Sequence, residues 1–221
     1  LIKNRALIED ELFQISKEIH VENFHRKVYV RGLIEISSYC GNDCYYCGIR
    51  RSNRNAKRYR LSAEEIYEQV RFGTKLGFKS FVLQGGEDPG FSDKTLIEVI
   101  KEIKRINPQT AITLSVGEKP FETLKAYKEA GADRFLLRHE TRDKEHYYKL
   151  HPRDMDQDFR LHMLEDLKKL GFQTGSGIMI GSPYQTEENL AEDLLFLRKL
   201  NPQMIGIGPF VPASGTPFEN E

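Results

Sequence analysis

The chain has 221 residues, and its 33 Lys+Arg balance 33 Asp+Glu to a formal net charge of zero, which removes the electrostatic case for a nucleic-acid or anionic-membrane binder. With 39% hydrophobic and 10% aromatic residues it can fill a core, and 30% charged residues imply a well-solvated surface rather than disorder. The longest apolar runs are strand-sized and no secretory signal is visible, so neither a bilayer span nor export is expected.

A short helix opens the chain, from Ile8 to about Ile19, with Leu12, Ile15 and Ile19 at helical spacing. An apolar run, Val28 to Ser37, reads as the first strand and leads directly into the cysteines. The next helix begins at the capping box Ser62-x-x-Glu65, turns Ile66 and Val70 inward and stops at Gly77. Ser80–Gln84 is strand-like. Ser92–Ile106 is helical with Leu96, Ile100 and Ile103 on one stripe, and Pro108 follows it. The pattern then repeats: strand Ala111–Ser115, helix Pro120–Ala130, strand Asp133–Arg138, helix from about Asp158 to Leu170, strand Thr174–Ile180, helix Thr186–Leu200 with Leu190, Leu194 and Leu197 inward, and strand Met204–Gly208. The pairs Leu76-Gly77, Ala130-Gly131 and Leu170-Gly171 have the form of helix C-caps before a new strand.

Strict alternation implies a parallel α/β sheet, either doubly wound or a TIM-type (β/α) barrel. About six βα units are present, fewer than an eight-stranded barrel requires. We therefore expect a partial barrel over residues 28–221, preceded by a helical lead-in over 1–27. Leu1 in place of Met and the Pro-rich end from Phe210 to Phe218 lead us to expect a chain cut from something longer.

The chemistry concentrates after strands. Cys40, Cys44 and Cys47 are the three cysteines of the chain, too few and too close for a disulfide framework, and they read as a soft-metal site in a reducing, cytoplasmic setting. Three thiolates around one small volume suit a 4Fe–4S cluster with one iron open. The alternative is a zinc site completed by a distant fourth ligand. Gly85-Gly86-Glu87 follows the second strand, where bare backbone admits a ligand and a carboxylate accepts from an ammonium; a plain βα turn would look the same. Ser115 and Glu118 follow the third strand. Arg138 and Glu140 share one face of the fourth strand end and His139 takes the other, an arrangement that also fits a structural ion pair. Gly177 and Gly181 flank an apolar run against which a flat adenine could lie, although plain strand packing explains them nearly as well. The basic run Arg50, Arg51, Arg54, Lys57, Arg58, Arg60 reads as a solvated loop offering one or two arginines to small anions, and Phe81 and Phe135 as core. His25, His146 and His162 are read as surface or helix-face residues rather than ligands. The cysteine, Gly85-Gly86-Glu87, Ser115–Glu118 and Arg138–Glu140 constellations all follow C-terminal strand ends, where α/β folds place their pockets.

The C-x3-C-x2-C motif, with Tyr46 before its third cysteine, resembles the radical S-adenosylmethionine superfamily. The strings VLQGGEDPG, LSVGEKP, LLRHET and GIGPFVPASGTPF resemble the iron-only hydrogenase maturases of the HydE type, relatives of biotin synthase and methylornithine synthase. The resemblance covers nearly the whole chain. It implies a 4Fe–4S cluster on Cys40, Cys44 and Cys47, and S-adenosylmethionine cleaved to a 5′-deoxyadenosyl radical. It also implies that Gly85, Gly86 and Glu87 hold the cofactor's amino group, that Tyr46 and Glu140 contact the cofactor, that Arg160 meets its carboxylate and that Arg138 lines the same cavity. The spacing before Arg160 is one residue longer than in the family. Ser115 is the candidate for presenting a hydroxyl to substrate. The implied partners are a small-molecule or iron-synthon substrate, an electron donor such as ferredoxin or flavodoxin, and sister maturases. With only three cysteines no second cluster is expected. Two rivals remain at this point: another radical enzyme of the biotin synthase or methylornithine synthase group, and a non-catalytic, truncated metal-binding barrel fragment.

Overall fold

The computed structural model describes residues 2–221. A 3-10 turn, Ile2–Asn4, leads into α1 (Arg5–Phe24). Six units follow: β1 (Gly32–Ser37), α2 (Ala63–Lys75), β2 (Ser80–Gly85), α3 (Asp93–Ile106), β3 (Ala111–Ser115), α4 (Phe121–Ala130), β4 (Arg134–Leu136), α5 (Lys144–Leu150), α6 (Gln157–Lys169), β5 (Gln173–Ile180), α7 (Glu187–Leu200) and β6 (Met204–Pro209). All strand pairs are parallel and the sheet order is β1-β2-β3-β4-β5-β6. A doubly wound sheet reverses its strand order at a switch point. This one never does, so the architecture is a partial TIM-like barrel.

Local signals account for most boundaries. Ser62 and Glu65 form the expected capping box, Ser92 and Thr186 cap α3 and α7, and Gly77, Gly131 and Gly171 take positive φ (91°, 113° and 75°) after their helices. One hydrophobic cluster fills the space between the sheet and α2, α3, α4 and α6. It includes Ile66, Val70, Phe81, Leu83, Ile100, Ile103, Ile112, Leu114, Leu124, Phe135, Leu164 and Leu167. Each large side chain buried there contributes about 1.5–3 kcal/mol against exposure.

Four expectations are corrected. The β1 ladder starts at Gly32 rather than Val28, and Val28, Tyr29 and Val30 are exposed. The lead helix is longer than its periodicity suggested and buries none of its residues, so Leu12, Ile15 and Ile19 face outward. A helix between β4 and α6 went unread: α5 has seven residues, with Asp143 as its N-cap accepting from the His146 amide at 2.5 Å. On α7 the inner positions are Asp193, Leu197 and Leu200, and Leu194 is 47% exposed.

Candidate active site

The loop after β1 carries the three cysteines and is tied down along its length. Ser38 N–H donates to the Tyr59 carbonyl (3.0 Å), Arg51 N–H to Asn42 (2.8 Å), Tyr45 N–H to Leu150 (2.9 Å) and Leu61 N–H to Ile36 (2.9 Å). The basic run is not a solvated face, as its composition suggested. The Arg58 guanidinium donates to the carbonyls of Ser38, Ile49, Arg50 and Asn53, the last three at 2.8, 2.6 and 3.2 Å. Arg50 is buried and pairs with Asp43 at 2.8 Å, which holds the Asp43 carboxyl well below the usual range. Arg60 clamps Asp88 through two nitrogens at 2.6 Å, and Ser37 Oγ donates to the same carboxylate at 2.6 Å. Only Arg51, Arg54 and Lys57 of the run stay in solvent without an ion-pair partner among the described residues.

Cys40, Cys44 and Cys47 are unpaired and partly buried. Burial pushes all three thiols up, Cys44 to about 12. The protein alone therefore keeps them protonated and poor as free nucleophiles, whereas a metal centre displaces those protons. The thiols influence one another electrostatically. Three sulfur donors with no fourth cysteine in the chain suit an open iron–sulfur cluster better than a closed four-ligand zinc site.

Around this loop the C-terminal strand ends form a continuous rim. Gly41 N–H donates to the Glu87 carbonyl at 2.8 Å, and the Glu118 N–H donates to Glu87 Oε1 at 2.9 Å. Glu118 Oε1 lies 2.7 Å from Arg160 Nε without the alignment of a hydrogen bond. Burial pushes the Glu118 carboxyl up against the pull of Arg160. Arg160, 7% exposed, donates from Nη1 to the Arg138 carbonyl at 2.9 Å. Arg138 Nε in turn donates to Glu140 Oε1 at 3.1 Å, while Glu140 Oε2 is buried without a partner. Glu140 also raises the thiols of Cys44 and Cys47, after burial, so it stands on their side of the rim. A buried acceptor with unspent capacity is unusual in a folded protein, and an ammonium or hydroxyl is the kind of group that would satisfy it. The donor set therefore fits both a cluster and an amino-acid-bearing ligand.

Tyr46 is fixed from behind. Its hydroxyl lies 3.1 Å from Nε2 of His151, whose Nδ1 lies 2.9 Å from the Tyr147 carbonyl. The carbonyl can only accept, so Nδ1 carries the proton and Nε2 receives the Tyr46 hydroxyl. Burial holds His151 neutral, with its pKa lowered to about 3.

The glycines serve close packing within the fold. A Cβ on Gly86 would stand 2.6 Å from Cys40 Cβ and closer still to the Tyr39 carbonyl oxygen. The bare backbone there admits the cysteine loop itself. Gly177 likewise makes room for β6, since its Cβ would stand 2.7 Å from the Gly206 carbonyl carbon. Gly181 takes φ +74° at the end of β5. Ser115 is half-buried at the end of β3, in register with Gln84, and makes no side-chain hydrogen bond among the described residues. His25 caps α1 and His162 is exposed, as expected, but His146 is buried between Thr141 and the Pro183 carbonyl. His151 and the buried pair His139–Asp193 were missed. A cavity of about 930 Å³ lies between α6 and α7, lined by His162, Glu192 and Phe196, and contains none of the rim residues.

A profile of the Radical SAM superfamily matches residues 34–197, from β1 into α7. The chain is 46% identical over 212 residues to the [FeFe] hydrogenase maturase subunit HydE of Thermotoga maritima, covering 96% of this chain and 60% of that protein. It is 30% identical over 214 residues to 3-methylornithine synthase of Methanosarcina acetivorans, covering 95% and 59%. The crystal structure of methylornithine synthase (PylB) superposes with TM-score 0.89 at 29% identity, over 96% of this chain and 62% of that one. That of HydG, a maturase of the [FeFe]-hydrogenase, gives 0.82 at 24% identity and speaks for the fold alone. The chain thus spans about 60% of the length of the curated relatives it matches. With its three unpaired thiols behind β1, its unreversed parallel sheet and a superfamily match across most of its length, this chain belongs to the radical SAM superfamily.

Proposed function

We propose that this chain is the S-adenosylmethionine-cleaving core of a HydE-type maturase acting in assembly of the [FeFe]-hydrogenase active site. The observation that carries the reading is the 46% identity to HydE over nearly the whole chain, set beside a rim of carboxyl and guanidinium groups that closes on the cysteine loop. Cys40, Cys44 and Cys47 would hold a 4Fe–4S cluster. When bound, the cluster supplies the electron that cleaves the sulfonium of S-adenosylmethionine and yields a 5′-deoxyadenosyl radical, the family's chemistry. The chain's residues orient the reactants. Gly85 and Gly86 set the Glu87 backbone against the cysteine loop, and Glu87 with the unpartnered Glu140 oxygen meets the cofactor's amino and hydroxyl groups. Arg160 draws in the carboxylate, Tyr46 packs beside the third cysteine, and Ser115 and Arg138 face the substrate. The substrate is a small thiolate- or cysteine-bearing iron synthon, and its product feeds the dithiolate bridge and di-iron centre. A low-potential carrier such as ferredoxin or flavodoxin supplies the electron and sister maturases exchange intermediates, in the cytoplasm. No helix among the described residues is long and apolar enough to cross a membrane.

The test is anaerobic reconstitution with iron and sulfide, reduction, and EPR with and without S-adenosylmethionine, followed by chromatography for 5′-deoxyadenosine. A 4Fe–4S signal reshaped by the cofactor is expected. A zinc-loaded chain, or a cluster indifferent to the cofactor, would overturn the reading. The likeness to methylornithine synthase supports a second reading as a methylornithine-type mutase, which formation of 3-methylornithine would reveal.

A further inference from the structure

Behind the sheet, on the face turned from the cysteines, three polar side chains meet at zero exposure. His139 Nδ1 lies 3.0 Å from Ser176 Oγ of β5, and His139 Nε2 lies 3.3 Å from Asp193 Oδ1 of α7. The set has the members of a hydrolytic triad but not its access. The serine is fully buried within β5, and the Phe196 ring lies tilted against the imidazole with centroids 4.7 Å apart. No substrate reaches it.

What the cluster does touch is the backbone that carries Arg138 and Glu140. The regular ladder of β4 stops at Leu136. Beyond it Glu140 adopts φ +65°, a conformation that non-glycine residues keep only where the surroundings impose it. A tight turn follows, with Thr141 N–H donating to the His139 carbonyl at 2.9 Å. On the site side Glu140 N–H donates to the Gly177 carbonyl at 3.2 Å. On the far side one oxygen, Asp193 Oδ1, accepts from both His139 Nε2 and the Arg142 N–H, the latter at 2.5 Å. A single α7 carboxylate thus grips the chain on either side of Glu140. Gln157, opening α6, adds hydrogen bonds from Nε2 to the Thr141 and Arg142 carbonyls at 3.0 and 3.1 Å.

We infer that Asp193, acting through His139 and the Arg142 amide, is a positioning residue that holds the Glu140 carboxylate in the cofactor site from the opposite face of the sheet. A buried Asp on the inner stripe of α7, where a leucine would serve packing better, is explained by this grip. The cofactor-facing half of the inference rests on the reading of Glu140 given under Proposed function.

The experiment is a double-mutant cycle with an independent backbone readout. In the cofactor-free chain, Asp193→Asn is expected to speed amide hydrogen exchange at Glu140 and Arg142 and leave the β2 and β3 amides unchanged. In the cluster-loaded chain, Asp193→Ala is expected to weaken S-adenosylmethionine binding by about tenfold at unchanged iron content, with Asp193→Asn recovering part of it. In a Glu140→Gln background the same Asp193→Ala change is expected to have little further effect, because the group it positions is already disabled. Unchanged exchange at Glu140 and Arg142 overturns the inference whatever the chain binds. So does a binding loss that simply adds to that of Glu140→Gln, since a general structural weakening adds. If Asp193→Ala does not accumulate as folded protein, Ser176→Ala and His139→Gln carry the same cycle. A wild-type cluster that ignores S-adenosylmethionine would sink the proposed function, while the exchange arm would still decide the grip.

Discussion

Alanine at Gly86 tests whether the cysteine loop is seated by close packing. The added Cβ would stand 2.6 Å from Cys40 Cβ and 3.1 Å from Cys40 Cα, as well as against the Tyr39 carbonyl oxygen. None of these is the far end of a flexible side chain, so the loop backbone must move. Relaxing the 2.6 Å approach to an ordinary contact takes a shift of ~0.8 Å, beyond the ~0.5 Å within which a preorganised site holds its groups. Overpacking of this kind costs about 1–3 kcal/mol, or about 2–4 °C in Tm per kcal/mol for a chain of this size. The matched control is Gly206→Ala, whose Cβ meets nothing nearer than Arg138 Cδ at 3.8 Å, and which is expected to be neutral or to stabilise by about 0.4–1 kcal/mol. The assay is thermal melting of the apo-proteins beside iron content after anaerobic reconstitution. Gly86→Ala is expected to melt lower and to retain less iron, whereas Gly206→Ala matches the wild type on iron. Equal melting and equal iron in the two variants would refute the packing argument.

Three further outcomes follow from the same contacts. His151 stays neutral in the fold down to about pH 3 whereas its ordinary value is 6.5, so the unfolded chain binds the extra proton between those limits. Stability therefore falls as the pH drops from 6.5 towards 3, by up to about 1.4 kcal/mol per unit; urea midpoints at pH 7.5 and 5.5 should diverge less in His151→Asn, and an identical divergence would count against the assignment. Glu118→Gln removes the carboxylate 2.7 Å from the buried Arg160 guanidinium and should cost about 1–3 kcal/mol in denaturant titration, so an unshifted midpoint would show that Arg160 is balanced elsewhere. Arg58→Lys exchanges a planar fork reaching four carbonyls for a single ammonium. Amide exchange across residues 40–53 should accelerate, and no change there would mean that the loop holds without its clamp.

The sequence made legible whatever depends on local periodicity and caps. β3 falls on Ala111–Ser115 as read, because Ile112 and Leu114 alternate inward between Pro108 and Gly117. The C-x3-C-x2-C loop was legible because its chemistry is confined to eight residues. The failures have different physical causes. The short helix α5 buries His146, Tyr147 and Leu150, a face too polar to register as an apolar stripe. Asp193 took the inner position expected of Leu194 because its partners are at 139 and 142. The run from Arg50 to Arg60 looked solvated because composition does not reveal carbonyls folded back over a guanidinium. Gly86, noticed for a ligand, is also crowded by Tyr39 and Cys40 of the cysteine loop.

Glu87 concentrates this ambiguity, because it holds the rim with two different groups. Its carbonyl accepts from Gly41 in the cysteine loop and its carboxylate accepts from the Glu118 amide. A purely structural Glu87 and one that also binds an ammonium therefore look alike until charge is separated from hydrogen-bonding capacity. Glu87→Gln makes that separation, since the amide oxygen can still accept from Glu118 N–H while the negative charge is gone. If Glu87 only ties β2 to β3, the variant melts and binds S-adenosylmethionine like the wild type. If its charge also meets the cofactor's ammonium, stability stays within about 0.5 kcal/mol while affinity falls by about tenfold or more, as expected for a charge-assisted hydrogen bond worth about 1.5–3 kcal/mol. Glu87→Ala loses both functions and lowers both readouts. We expect the Gln variant to keep its stability and lose affinity; unchanged cofactor titrations followed by EPR would return Glu87 to the turn and leave Glu140, with its unspent buried oxygen, as the group that meets the ammonium.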